Sequence, residues 1–167
     1  GPSMLVTHPS LPVRNLGELV ALAKARPGTL TYGSAGSGAP TSHLGVELLK
    51  ITAGIDMVHV PYKGGTQSLP DLISGQVQLS FTTLSSFMPM MGKGKLRILA
   101  ITQGGRSERV PEVPTVAELL PGYEVPPGWV AIVGPARLPQ PQVKRLADAF
   151  IKAANQPDVK SRIAEVG

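Results

Sequence analysis

A loop rich in glycine and serine is the part of this 167-residue chain whose residue types best suit ligand chemistry. The sequence TYGSAGSG at residues 31–38 begins as a short β-type run, and hydroxyl side chains continue to Ser42. Glycines let a backbone approach a ligand closely, and free N–H groups at a helix start attract anions. Residues 34–42 therefore predict a carboxylate or phosphate cradle. The alternative that the residues leave open is a glycine-rich turn whose serines only cap the next helix.

Two further loops are expected beside it, at residues 63–66 and 82–86, because ligands of parallel sheets bind outside the carboxyl ends of the strands. Lys63 could place an ammonium beside an anion, and Tyr62 could offer its phenol. A solvated lysine and a packed tyrosine are the commoner cases for such positions.

Other kinds of chemistry lack support in the sequence. The glycines at 33, 36 and 38 fit neither of the nucleotide-binding motifs G-x-G-x-x-G and G-x-x-x-x-G-K-[ST]. His43 and Glu47 lie four residues apart without a third metal ligand, which favours a helix-surface pair, and His59 is typical of a satisfied residue on a sheet face. There is no cysteine, no G-x-S-x-G motif and no paired carboxylates. We therefore predict no catalytic residues, no metal and no cofactor.

The elements that must position these loops alternate. Asn15 and Glu18 predict the capped start of a helix that runs to Ala25. A second helix at 40–53 is predicted from the helical spacing of Leu44, Leu48 and Ile51, and helices follow at 68–73 and around Phe87 and Met91. Strands are predicted at 30–33, 57–62, 77–82, 95–102 and 129–133. A surface connection with a capping pattern from Thr115 to Glu118 spans 103–127, and an amphipathic helix covers 141–154 before a last one begins at Pro157. The fold class is α/β, a mostly parallel sheet of about five strands flanked by helices.

Composition bounds the molecule and its partners. Hydrophobic residues make up 42% and charged residues 16%, which is typical of a folded domain. The net charge of +5 is spread over scattered basic residues and aromatics are only 4%, so nucleic acid is not expected as a partner. Residues 1–4 are interpreted as a tag remnant, which leaves one domain over 5–167. No apolar run reaches the length of a transmembrane helix.

An ordered series of motifs resembles one known family. TYGSAGSG at 31–38, MVHVPYKGG at 57–65, GKLR at 94–97, VPTVAE at 113–118 and PGYE at 121–124 resemble the Bug-type (TctC-like) periplasmic substrate-binding proteins of tripartite tricarboxylate transporters. The resemblance extends from about residue 5 to residue 167. It departs from the family at Thr82 and Thr83, where relatives carry Asp-Asn, and after Trp129.

The resemblance implies one lobe of a type II periplasmic-binding-protein fold, domain 2, with hinge-crossing segments near 5–10 and 128–135. It implies capture of a di- or tricarboxylate or an aromatic carboxylate in the periplasm, without catalysis, and delivery to the membrane permease subunits. The implied contacts are Ser34, Ala35, Gly36, Ser37, Gly38, Thr41, Ser42, His43, Tyr62, Lys63, Gly64, Thr82, Thr83 and Leu84. The alternatives are a small α/β enzyme that uses the Gly/Ser loop for a phosphate or acyl substrate, and an interaction module. The isolated lobe is expected to bind weakly and could self-associate.

Overall fold

Strands and helices alternate along the first three quarters of the chain. A computed structural model of the protein describes residues 3–37, 39, 42–64, 67–87, 90, 94–102, 104–125 and 131–166. The chain divides into two compact units, Gly1–Gly128 and Trp129–Gly167. The boundary falls inside the segment 128–135 that we expected to cross a hinge.

A five-stranded mixed sheet forms the centre of the first unit. Its strands are β1 Ser3–Thr7, β2 Thr31–Ser34, β3 Val58–Pro61, β4 Leu79–Thr83 and β5 Arg97–Ile101. They lie in the order β3-β2-β4-β1-β5. β2 pairs in parallel with β3 and β4, whereas β1 pairs antiparallel with β4 and β5. Four strands therefore point the same way and one runs against them, which confirms an α/β sheet of five strands.

The fifth strand is not the one that the sequence pattern indicated. Residues 131–133 are irregular, and 129–130 lie outside the described residues. The apolar run there mimics a strand, but Ile132 and Val133 are exposed and pair with no strand in the described chain. β1 supplies the fifth strand instead, with Met4, Leu5 and Val6 fully buried. Residues 3 and 4, which we had set aside with the tag remnant, are thus part of the sheet.

Helix ends follow the predicted capping and stop signals. In the first unit the helices are α1 Leu16–Ala25, α2 Leu44–Ala53, α3 Leu69–Ser74, α4 Leu84–Phe87 and α5 Val116–Leu119. Asn15 accepts the Glu18 N–H at 2.9 Å, and Thr115 and Glu118 form a reciprocal capping box. Gly54 and Gly75 end α2 and α3 with φ of 62° and 79°, a conformation that glycine adopts without strain.

Helix α2 differs from its prediction in both its start and its buried face. It begins at Leu44 rather than near residue 40. Leu44 and Ile51 of the predicted apolar stripe are exposed, while Gly45, Val46 and Leu49 are buried. On the buried face, the Gly45 carbonyl accepts the Tyr123 hydroxyl at 3.1 Å, a contact between residues 78 positions apart. Gly45 therefore packs against Tyr123 on the face that turns inward.

Apolar side chains cover both faces of the sheet. One cluster joins Leu5 of β1 and Phe81 of β4 to the buried sides of α1 and α2, and the other joins Met4 and Val6 to α3 and α4. Val110, Val113 and Tyr123 are buried in these clusters. The segment after β5 therefore contributes these side chains to the core, although most of its described residues are exposed, as expected of a surface connection. Its local pattern is polar, but its few apolar residues are the ones that pack.

The second unit consists of two helices, α6 Gln140–Ala154 and α7 Pro157–Val166, as predicted from the amphipathic pattern. None of the residues of α6 is buried. Its apolar face, defined by Val143, Leu146, Ala147, Phe150 and Ile151, lines a groove of about 420 Å³ with Ile132, Val133 and Leu138. No described helix is both long and apolar enough to span a bilayer.

Candidate functional site

The three predicted loops lie at one edge of the sheet. β2, β3 and β4 point the same way, so their carboxyl ends, Ser34, Pro61 and Thr83, meet at that edge. β1 runs in the opposite direction and begins there, with Ser3 opposite Thr83. Thr102, which follows β5, joins the same edge by donating its N–H to the Ser3 carbonyl at 2.9 Å. We name this the polar edge.

Two buried serine hydroxyls hold the first loop of the polar edge. The Ser34 Oγ accepts the Gly36 N–H at 3.2 Å, and the Ser42 Oγ accepts the Ala35 N–H at 3.0 Å. Gly36 has a φ of 113°, which side chains disfavour. These serines brace the loop, and they do not cap α2, whose N-cap residue His43 has no side-chain cap bond.

The donors left for a ligand in this loop are fewer than the sequence predicts, because the amides of Ala35 and Gly36 are used within it. Ser37 is exposed and forms no hydrogen bond with any described residue. Its N–H and hydroxyl are therefore available to an anion. Gly38 and Thr41, also predicted contacts, lie outside the described residues.

A network of polar side chains contacts the first loop through Ser34. The His59 Nε2 lies 2.6 Å from the Ser34 Oγ, and the His59 ring stacks on Tyr32 with centroids 4.9 Å apart. The centroids of the His43 and His59 rings are 4.3 Å apart. His59 is indeed a partnered sheet residue, but its partner is the first serine of the candidate loop. Only the pairing of β2 with β3, which places Tyr32 opposite His59, could have revealed this contact.

Glu47 and Lys50 of α2 extend the network. Tyr32 donates its hydroxyl to Glu47 at 2.7 Å, and Lys50 lies 3.1 Å from the same carboxylate oxygen. Burial, with the hydrogen bond to Glu47, raises the pKa of Tyr32. Burial opposes ionisation of Glu47, but hydrogen bonds from Tyr32 and Lys50 outweigh it and lower the pKa of Glu47. No group of three or more metal-ligating side chains occurs among the described residues.

The second loop is tied to the first. The Tyr62 N–H donates to the Ser34 carbonyl at 3.0 Å, and the Tyr62 hydroxyl donates to Asp71 at 2.6 Å. Burial and this bond raise the pKa of Tyr62 to about 12. The phenol predicted to face a ligand is thus engaged by α3. The Lys63 N–H donates to the Gln67 side chain at 3.1 Å, next to Gly64.

The third loop contributes hydroxyls rather than charge. Thr83 Oγ1 lies 2.8 Å from Ser86 Oγ at the end of β4, and Thr82 is buried. The Leu84 side chain lies in the core cluster of Met4 and Val6, which leaves only its backbone at the polar edge. A buried pair missed from the sequence, Ser68 and Ser80, fixes α3 against β2, because the Ser80 hydroxyl also donates to the Gly33 carbonyl at 3.3 Å.

Comparison with known proteins identifies the family of this chain. The model of the tripartite tricarboxylate transporter family receptor matches residues 1–167. The chain belongs to this receptor family. Its members are substrate-binding receptors of the periplasm, not enzymes, so the alternative of a small α/β enzyme loses its support.

Two curated relatives illustrate the match. A UPF0065 protein of Cupriavidus necator is 38% identical over 96% of this chain and 48% of its own length. Protein BugT of Bordetella pertussis is 36% identical over 80% of this chain and 41% of its own length. The chain spans about half the length of the curated relatives it matches.

Solved structures match almost the whole chain. Rpa4515 of R. palustris with adipate is 33% identical with a TM-score of 0.87, over 99% of this chain and 55% of that one. MatC of Rhodopseudomonas palustris with bound malate is 28% identical with a TM-score of 0.82, over 99% and 56%. Family members thus bind small carboxylates.

Proposed function

We propose that this chain is the second lobe of a periplasmic receptor that captures a small organic carboxylate for a tripartite tricarboxylate transporter. The observation that carries the proposal is the polar edge, where three loops with small residues and hydroxyls converge. Such an edge suits a carboxylate, because backbone N–H groups and hydroxyls can accommodate its oxygens without a fixed cation. The adipate and malate bound by two structural relatives support the ligand class.

We propose further that residues 5–167 form domain 2 and that segments 5–10 and 128–135 cross the hinge of a two-lobed receptor. Residues 5–7 lie in β1, which enters the sheet from the polar edge at Ser3, and the boundary between the two compact units falls within 128–135. The ligand would then be enclosed when a second lobe closes over this edge. The loaded receptor would deliver it to the membrane permease subunits.

The contacts proposed in this lobe are the exposed Ser37 with the adjoining loop 34–43, the turn 62–64 and the end of β4. Ser34 and Ser42 support the loop backbone. A fixed positive charge is absent from the described loops apart from Lys63, so the affinity must come from several neutral donors and from exclusion of water by the other lobe. An isolated lobe would therefore bind weakly.

Calorimetry of the two-lobed receptor with a panel of mono-, di- and aromatic carboxylates tests this function. We expect heat from at least one member, and a loss of about ten- to a hundredfold in affinity on Ser37→Ala, because a hydrogen bond to a charged group disappears. Ser74→Ala, at the exposed C-terminal end of α3, is the matched control and should change nothing. No heat from any carboxylate would refute the proposal.

We also propose that this lobe in isolation self-associates through the apolar face of α6. Phe150 and Ile151 are exposed by 47% and 61%, and the groove beside them is lined by apolar side chains. Contiguous apolar surface of this kind favours association in water.

A further inference from the structure

The contact between Ser34 and His59 affects which hydrogen-bond donors the first loop can offer to a ligand. Ser34 is buried, and its Oγ lies 2.6 Å from the His59 Nε2 and 3.2 Å from the Gly36 carbonyl oxygen. A hydroxyl has one proton, so it can donate to only one of these acceptors at a time. Whether the His59 Nε2 carries a proton therefore decides where the Ser34 proton goes.

Two states follow from this proton accounting. When the ring is neutral and carries its proton on Nδ1, Nε2 accepts from the Ser34 hydroxyl, and the hydroxyl has nothing left to donate. When the ring is protonated, Nε2–H donates to Ser34 Oγ and frees the hydroxyl proton for the Gly36 carbonyl or for an anion at the loop. The Gly36 N–H can donate to Ser34 Oγ in both states, since the oxygen has two acceptor sites.

We propose that His59 is a positioning residue that takes up a proton when the receptor captures a carboxylate, switching Ser34 from a donor to the ring into a donor towards the loop and its ligand. The inference rests on the proposed function and names a regulation of the same site. Charge strengthens the coupling, because an anion at the loop favours an imidazolium one hydroxyl away.

The groups around the ring set the resting state. Among the described residues these are Tyr32 of β2 and His43, Glu47 and Lys50 on the α2 side. Burial and then the charge of His43 lower the pKa of His59, with Lys50 acting the same way and Glu47 opposing them. The empty site therefore holds a neutral ring near neutral pH.

The sign of the pH dependence follows. A bound carboxylate favours the protonated ring, so the pKa of His59 is higher in the complex than in the empty site. Affinity should rise as pH falls through the pKa of the complex and level off below the pKa of the empty site. Each unit by which the ligand raises the pKa corresponds to about a tenfold rise in affinity.

Calorimetry with adipate as the probe tests the coupling in the two-lobed receptor; if the panel above identifies another carboxylate, that one replaces it. Titrations in two buffers of different ionisation enthalpy, from about pH 8 to about pH 5, should show proton uptake on binding. His59→Gln keeps a side-chain amide for Ser34 but cannot titrate, so it should bind with a flat pH profile. Lys24→Gln, in the exposed last turn of α1, should retain the wild-type profile. Binding without proton uptake and with a flat wild-type profile would overturn the inference but leave the proposed function intact.

A ligand-free measurement separates the two failures. Nitrogen-15 NMR of the His59 ring in this chain at high pH should show the Nδ1–H tautomer, and Ser34→Ala should shift the ring towards the Nε2–H form that free imidazole prefers. An Nε2–H tautomer in the unmodified chain would overturn the inference whatever binds. A panel without any heat at any pH would refute the proposed function, and the ligand coupling would fall with it.

Discussion

At the scale of single residues, glycines determine where the polar edge can come close to other groups. Gly36 adopts a φ of 113°, and a Cβ there would lie 3.2 Å from the Tyr62 carbonyl oxygen. A Cβ on Gly33 would lie only 2.9 Å from the Cβ of Ser68, the residue that precedes α3. Both glycines let the first two loops pack against each other, so the site requires that these two positions carry no side chain.

Gly36→Ala should lower the free energy of unfolding by about 1–3 kcal/mol, because alanine must adopt a strained backbone conformation or displace the Tyr62 carbonyl. Urea denaturation of the two proteins measures the difference. Gly104→Ala is the matched control, since Gly104 has no positive φ and a Cβ there meets nothing within 4 Å. Equal losses in the two variants would contradict this account of the loop.

The residue types of the site could be predicted from the sequence, but their partners could not. A glycine-serine run after a strand indicates a loop that can bind an anion. Its use of Ser34 and Ser42 as internal braces depends on contacts with His59 and with the Ala35 amide, and His59 is 25 residues away. Tyr62 shows the same limit, because only the position of α3 reveals that Asp71 takes its hydroxyl.

At the scale of elements, capping residues define the helices more firmly than apolar spacing does. The Asn15 side chain accepts the Glu18 N–H, and the Glu18 carboxylate accepts the Arg14 N–H at 2.7 Å. Backbone donors on both sides of the N-cap therefore have acceptors. The apolar spacing of α2 indicated the wrong face, because the packing of Gly45 against Tyr123 is a long-range property that periodicity cannot contain.

Asn15→Ala should cost about 1 kcal/mol of stability, since the first turn of α1 loses its side-chain acceptor. Asn15→Ser keeps an acceptor and should cost much less. Thermal and urea unfolding followed by circular dichroism would measure both. If serine were as damaging as alanine, the cap would not be the reason for the loss.

The strands show why a pattern cannot determine topology. The sequences at 129–133 and 4–6 are both apolar, but residues 4–6 lie between β4 and β5, whereas the described residues 131–133 pair with no strand of this sheet. A strand is stable when its hydrogen bonds and both faces find partners, and these partners are 70 to 100 residues away in the sequence. The α/β class was therefore predictable, and the identity of the strand between β4 and β5 was not.

At the scale of the whole molecule, the unequal burial of its two units is the dominant property. The first unit has apolar clusters on both sides of its sheet, whereas α6 has no buried residue. An amphipathic helix of this kind gains most of its stability by covering its apolar face. The proposed self-association is one way in which the isolated lobe would do so.

Light scattering over a range of concentrations should show a rise in apparent mass for this chain, and Phe150→Glu should suppress it, because a charge in the apolar face opposes its burial. Lys152→Gln changes the net charge by the same amount on the opposite side of α6 and should leave association unchanged. A monomer at every concentration would contradict the proposed self-association.

The reversed strand β1 has a mechanical consequence. β5 joins the described sheet only through β1, and β1 is bonded to β4 along its other side. A force along β1 from its beginning is therefore opposed at once by its hydrogen bonds to β4 and to β5. A strand peeled from the edge of a sheet would instead lose its hydrogen bonds one at a time. A sheet held by such a strand would resist distortion when the strand is pulled, and the polar edge would keep its shape.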